Sequence, residues 1–199
     1  ASNYTISKQE GTLSITNRTD AEKYEINVEA NSAEYTYDGE AKSVEGFKTL
    51  TFTENGQTYT VSGLTASATG TDATTETVKY VAAVKGTAVV KDAEGNDVTA
   101  QFKVTTTNGE LVIDPKAVTL KSATLSKPYD GTALTNGDHA LETETGWVEG
   151  QGATYTFTGS VTLPNVTVDN AFGYTLNEGT KASNYTISKQ EGTLSITNR

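Results

Sequence analysis

The sequence predicts an all-β chain made of two tandem, small, antiparallel β-sandwich-like domains that form an elongated rod. Three observations predict it. Apolar and hydroxyl residues alternate over short runs, glycine-containing turn dipeptides separate those runs every 8–12 residues, and the sequence repeats itself at two scales. Alternation with a period of two places successive side chains on opposite faces of a strand, one face buried and the other solvated.

Leu50-Thr-Phe-Thr and Tyr59-Thr-Val-Ser flank Asn55-Gly56, a pair that tolerates the positive φ of a tight hairpin. Phe102-Lys-Val-Thr and Leu111-Val-Ile flank Asn108-Gly109 in the same way. In the second half Tyr155-Thr-Phe-Thr is a strand, and Tyr185-Thr-Ile-Ser and Thr193-Leu-Ser-Ile-Thr flank Glu191-Gly192. Asp38-Gly39, Asp130-Gly131 and Asn136-Gly137 mark further turns. Threonine fills 37 of 199 positions, and its branched Cβ favours strand over helix. No window of 12 or more residues carries a helical 3.6-residue period.

Residues 1–18 read ASNYTISKQEGTLSITNR, and residues 182–199 repeat those eighteen letters without a change. The offset sets a period of 181 residues. This pattern implies that the sequence opens inside a repeat of a longer chain with near-identical neighbouring copies. Residues 1–18 are then the closing strands of the preceding repeat. Cut off from their own domain they carry unpaired edges, and they are expected to pair with a neighbouring molecule or to pack on the first domain. A weaker repeat lies within the period: residues 24–39 resemble 116–131, 56–63 resemble 152–159, and 102–113 resemble 185–196. The division is therefore a first domain at 20–114 and a second at 115–199. Short connections at 19–23 and 114–117, the latter holding Pro115, limit bending between them.

Leu, Ile, Val and Phe make up 38 residues and the net charge is −10, figures that border on the disordered class. Ten tyrosines and the alternating runs argue instead for a folded chain with a thin core. Fifteen basic residues stand against 25 acidic ones with no basic cluster, which argues against a nucleic-acid partner. No run approaches the ~18 apolar residues of a membrane-spanning helix, so no membrane insertion is expected. The chain lacks Cys and Met, a composition that suits an exported protein.

Chemistry-bearing residues are sparse. His139 is the only histidine and sits in a turn-like stretch, so triad catalysis would rest on it alone. Asp92-Ala-Glu-Gly-Asn-Asp97 offers hard oxygen ligands of the kind Ca²⁺ selects, but the run also reads as a polar hairpin turn. Trp147, flanked by Glu142, Glu144 and Glu149, is a candidate ligand-binding residue for a glycan or protein, or else a partly buried structural residue; 141–147 alternates as an edge strand. Tyr37-Asp38-Gly39 and Tyr129-Asp130-Gly131 read as turns whose tyrosines pack. Lysine and asparagine occur in both halves, which leaves a Lys–Asn isopeptide bond open, although no motif marks one. No catalytic residue, metal ligand or cofactor is assigned.

Pro-Tyr-Asp-Gly-Thr at 128–132, Thr-Tyr-Asp-Gly-Glu at 36–40 and the closing Asn-Tyr-Thr-Ile and Gly-Thr-Leu-Ser-Ile within 184–196 resemble the YDG/MBG-type repeats of long bacterial, mainly Gram-positive, surface proteins. The first half departs at its close, with Phe102 for Tyr and Glu110 for Thr. The resemblance implies an extracellular, cell-wall-attached stalk or adhesin and carries no catalytic residues. The expected function is thus a structural spacer module, with an adhesive module for host glycan, mucin or matrix protein as the alternative. The expected partners are identical repeats, head to tail.

Overall fold

The computed structural model describes residues 3–199, of which 49% of the chain is strand and 3% helical, in small sheets with no barrel. The predicted runs are strands: Thr51–Glu54 and Gln57–Thr65 form a hairpin through Asn55 (φ 48°) and Gly56 (φ 75°), and Ala153–Phe157 pairs with Phe172–Leu176.

The sheets are mixed, not antiparallel throughout, because the first and last segments of each half run parallel. Tyr24–Glu29 lies beside Phe102–Thr107, with Tyr24 opposite Phe102, and Ala33–Thr36 lies beside Gly109–Asp114, with Thr36 opposite Asp114. No residue is gained or lost across the interruption. The second half repeats the plan: Lys116–Lys121 runs with Tyr185–Gln190 and Leu125–Pro128 with Thr193–Thr197, again in unbroken register from Lys116 opposite Tyr185 to Pro128 opposite Thr197. Each paired run steps midway from one sheet to another.

The step explains two glycines that the sequence reads as hairpin turns. Neither Gly109 nor Gly192 has a positive φ. Each sits where its strand passes against the partner backbone: a Cβ would lie 2.0 Å from the Asn31 carbonyl oxygen at Gly109, and 2.4 Å from that of Ala123 at Gly192. Side-chain hydroxyls fill the gap left in the ladder. Glu110 N–H donates to Ser32 Oγ at 3.0 Å, Thr193 N–H to Thr124 Oγ1 at 3.3 Å, and Gly192 N–H to Ser122 Oγ at 2.9 Å. Beneath the second step, buried Asn170 donates to Ala123 O and to Asn136 Oδ1, and Ser122 Oγ–H donates to Asn170 O.

Three apolar clusters hold the halves. One, around Val28, Val61, Val90 and Phe102, lies in the first half, and one, around Val161, Leu194 and Ile196, lies in the second. The third is shared: Tyr37, Leu111 and Ile113 from the first half pack with Val118, Leu120, Phe172 and Tyr185 from the second.

The duplicated eighteen residues adopt two states. At 185–197 they form strands, with Leu194 0% and Ile196 1% exposed; at 3–18 they form no strand, and Leu13 and Ile15 are each 103% exposed. Burying such a side chain is worth about 1.5–3 kcal/mol, so the partner strand 116–128 decides the outcome. The end of the first copy packs on the first half: Arg18 N–H donates to Gln101 Oε1, Gln101 Nε2 to Asn17 Oδ1, and the Arg18 guanidinium lies 4.0 Å over the Tyr24 ring.

If backbone contact is what selects glycine at the step, Gly109→Ala and Gly192→Ala each destabilise the chain by about 3 kcal/mol in urea denaturation. Gly131→Ala, with a φ of +81° but open space around it, costs about 1 kcal/mol. Equal losses would mean that turn conformation, not close approach, sets these positions.

Candidate functional site

The cleft between the halves is where the predicted residues meet. Tyr37-Asp38-Gly39 leaves the end of Ala33–Thr36, and Tyr37 N–H donates to Asp114 O at 2.8 Å, which aims the tyrosine at the second half. Its ring meets Tyr185 edge-on with centroids 5.5 Å apart. Gln151 joins the two phenols: its Nε2 donates to Tyr37 Oη at 2.8 Å, and Tyr185 Oη–H donates to its Oε1 at 2.7 Å. Gly39 sits so close to Val148 that a Cβ there would lie 2.9 Å from Val148 Cγ1.

Trp147 follows the edge strand Thr143–Thr145, as its alternating sequence predicts. The indole is half-buried, packs edge-on against Tyr185 at 4.9 Å and donates to Tyr155 Oη at 3.2 Å. Tyr155 in turn donates to Glu144 Oε1 at 2.7 Å. Burial, with the Glu144 carboxylate beside it, pushes the Tyr155 phenol up to about 12. Trp147 also lines a cleft of about 470 Å³ together with Asp38, Glu40, Lys116, Val148 and Glu149. Glu149 reaches this cleft, whereas Glu142 pairs with Lys121 at 2.8 Å and Glu144 with Tyr155.

A second set of bonds across the halves was not legible in the sequence. Asn184, 1% exposed, accepts the Ala73 N–H at 2.7 Å and donates to Asp72 Oδ1 at 3.0 Å; Lys181 Nζ lies 2.6 Å from Asp72 Oδ2. Lys181 and Asn184 hold the Asp72 carboxyl below its ordinary range. Asn184 belongs to the short 3₁₀ turn Ala182–Asn184, and Gln101 holds the same place in Thr99–Gln101. The aligned segments begin one residue later, at 102 and 185, so extending that alignment by one position is the signal that could have marked it.

The other candidates lie elsewhere. Asp92 accepts the Glu94 and Asn96 N–H groups and Asn96 Nδ2, and Asp97 accepts the Thr99 N–H and hydroxyl, so these carboxylates brace their own loop. Those bonds hold both acids below the usual carboxylate range. Among the described residues no group of three or more His, Cys, Asp or Glu is placed to hold a metal ion. His139 is exposed in a turn whose backbone is tied to Asn136. The buried asparagines 136, 170 and 184 bond to backbone, to each other or to Asp72. Among the described residues no helix is long and apolar enough to cross a membrane.

The chain is nearly all β, and its Tyr37-Asp38-Gly39 turn packs against Val148, Gln151 and Tyr185. A YDG domain is detected at residues 114–192. No curated protein and no solved structure matches the chain.

Asn184→Ala leaves the Ala73 N–H buried without an acceptor and is expected to cost about 2 kcal/mol in chemical denaturation. The raised Tyr155 phenol gives a pH signature. The fold favours its neutral form, so this stabilisation is complete below pH 10 and is lost as the pH rises toward about 12. Ultraviolet titration should show a late phenolate step that shrinks in Tyr155→Phe; an unchanged step would assign it to Tyr185, whose phenol burial also raises.

Proposed function

We propose that the chain is a non-catalytic spacer module of a bacterial cell-surface protein, repeated head to tail in an extended array outside the cell. The observation that carries this is the unaltered return of eighteen residues at an offset of 181. Near-identical copies are what a length-setting array needs, since each unit then adds the same increment. Two features support rigidity within a unit: the single residue Pro115 between Asp114 and Lys116, and the Tyr37, Gln151, Tyr185 and Asp72, Asn184 bonds across the halves. The side chains with chemical capability support the same reading, because Glu144, Asp72, Asp92 and Asp97 are all engaged in hydrogen bonds or ion pairs within the chain.

The cleft at Trp147 favours a second reading, an adhesive module that takes a host glycan or matrix protein weakly at each repeat. An indole beside Asp38, Glu40 and Glu149 suits a polyhydroxylated ligand. Many copies would then gain avidity through effective concentration.

Small-angle scattering of chains with one, two and three repeats tests the first reading. The maximum dimension should grow by a constant increment per repeat, and a globule that thickens instead would overturn it. Binding to an array of glycans and matrix proteins that rises steeply with copy number and is lost in Trp147→Ala would establish the second reading.

A further inference from the structure

We infer that the Tyr129-Asp130-Gly131 tip of one copy docks in the cleft beside Tyr24, Tyr59 and Phe102 of the next copy. The inference rests on the reading of the chain as a repeat and names the contact that joins one repeat to another.

The tip is built like the one already seen at a junction. Tyr129 N–H donates to Thr197 O at 3.0 Å, as Tyr37 N–H does to Asp114 O at 2.8 Å, so both tyrosines stand at the same place beside a last strand. Each aspartate accepts the N–H two residues on and pairs with a lysine, Asp38 with Lys42 and Asp130 with Lys127. Their surroundings differ. Tyr37 is 5% exposed with Gly39 against Val148; Tyr129 is 41% exposed, and nothing lies within 4 Å of a Cβ at Gly131. The second tip has the form of a plug without a socket.

The socket is at the other end. Phe102 holds in the first half the register position that Tyr185 holds in the second, opposite Tyr24 as Tyr185 is opposite Lys116. Tyr59 packs on Phe102 at 4.8 Å, as Trp147 does on Tyr185 at 4.9 Å. A cleft of about 600 Å³ opens here, lined by Thr16, Arg18, Tyr24, Tyr59, Gln101 and Phe102 among others.

The duplicated sequence ties plug to socket. Thr16 recurs one period later as Thr197. In the second half the Thr197 carbonyl accepts Tyr129 N–H, so a preceding copy would bring its Tyr129 to the Thr16 carbonyl, on the wall of this cleft. The next two residues of that copy are already gripped, since Gln101 bonds Asn17 and Arg18 from the position where Asn184 bonds Asp72 and Ala73. The connection is longer here, residues 17–23 against Pro115 alone, and the Arg18 guanidinium over Tyr24 folds it back onto the first half. Docking of the aromatic tip would then fix an otherwise looser joint.

The test uses the full chain followed by residues 19–199 once more, which regenerates the register at the joint. The sequence has no cysteine, so an introduced pair reports without background. Thr132→Cys in the leading copy, which keeps the Tyr129 ring, with Val98→Cys on the cleft wall of the trailing copy should form a disulfide under mild oxidation at least tenfold faster than Thr132→Cys with Thr53→Cys. Equal rates would overturn the docked joint. As a second reading, Tyr129→Ala should lower Tm when placed in the leading copy and leave it unchanged in the trailing copy; identical effects would also overturn it. Scattering from the same two-copy chain separates the two ideas: an extended particle without the cross-link removes this joint and leaves the spacer reading standing.

Discussion

Each half of the molecule depends on a parallel pairing between its own two ends. Residues 24–36 run beside 102–114, and 116–128 beside 185–197, in a register that never slips although each run crosses from one sheet to another. Parallel neighbours cannot be closed by a tight turn, so all of the chain between them must leave and return. The intervening hairpins fill that excursion and cover the apolar faces that the paired ends present. Gly109 and Gly192 mark the points where each run crosses its partner, and hydroxyls of Ser32, Thr124 and Ser122 replace the ladder bonds lost there.

Much of this was legible in the sequence, and one particular was misread for a physical reason. Strand positions followed from alternation, and the two-fold plan followed from the aligned halves. The buried phase, however, flips across each glycine: Phe102 and Val104 face in before Gly109, Leu111 and Ile113 after it; Tyr185 and Ile187 before Gly192, Leu194 and Ile196 after it. A hairpin produces that flip, and so does a single strand that passes from one sheet to the facing one, since the core then lies on its other side. Local pattern cannot separate the two. The partner decides, and it lies about 70–80 residues away in sequence, beyond the reach of periodicity. The site was half legible. Trp147 was read as a candidate ligand-binding residue and the Tyr-Asp-Gly residues as turns whose tyrosines pack, but Gln151, Asp72 and Asn184, which join the halves, are ordinary polar residues whose value lies wholly in the contact.

The joint between the halves and the proposed joint between copies share one logic. A tyrosine at the end of one unit reaches an aromatic of the next, and a side-chain amide from a 3₁₀ turn bonds the preceding unit, Asn184 at Asp72 and Ala73 and Gln101 at Asn17 and Arg18. Aromatic pairs add about 0.5–1.5 kcal/mol beyond the area they bury, enough to bias a joint while leaving each unit to fold on its own strands. In the proposed spacer, function is mechanical and collective. Its measure is how faithfully one unit orients the following one.

The two copies of ASNYTISKQEGTLSITNR provide the sharpest measurement. Because their sequences are the same, their intrinsic exchange chemistry is the same apart from the chain end, and any difference in amide protection reports the partner strand. Hydrogen exchange resolved by NMR should show the strand amides of 187–196 exchanging about a thousandfold or more slowly than their counterparts in 6–15. Equal protection in the two copies would contradict the account, because it would mean that the segment acquires its structure without the parallel partner.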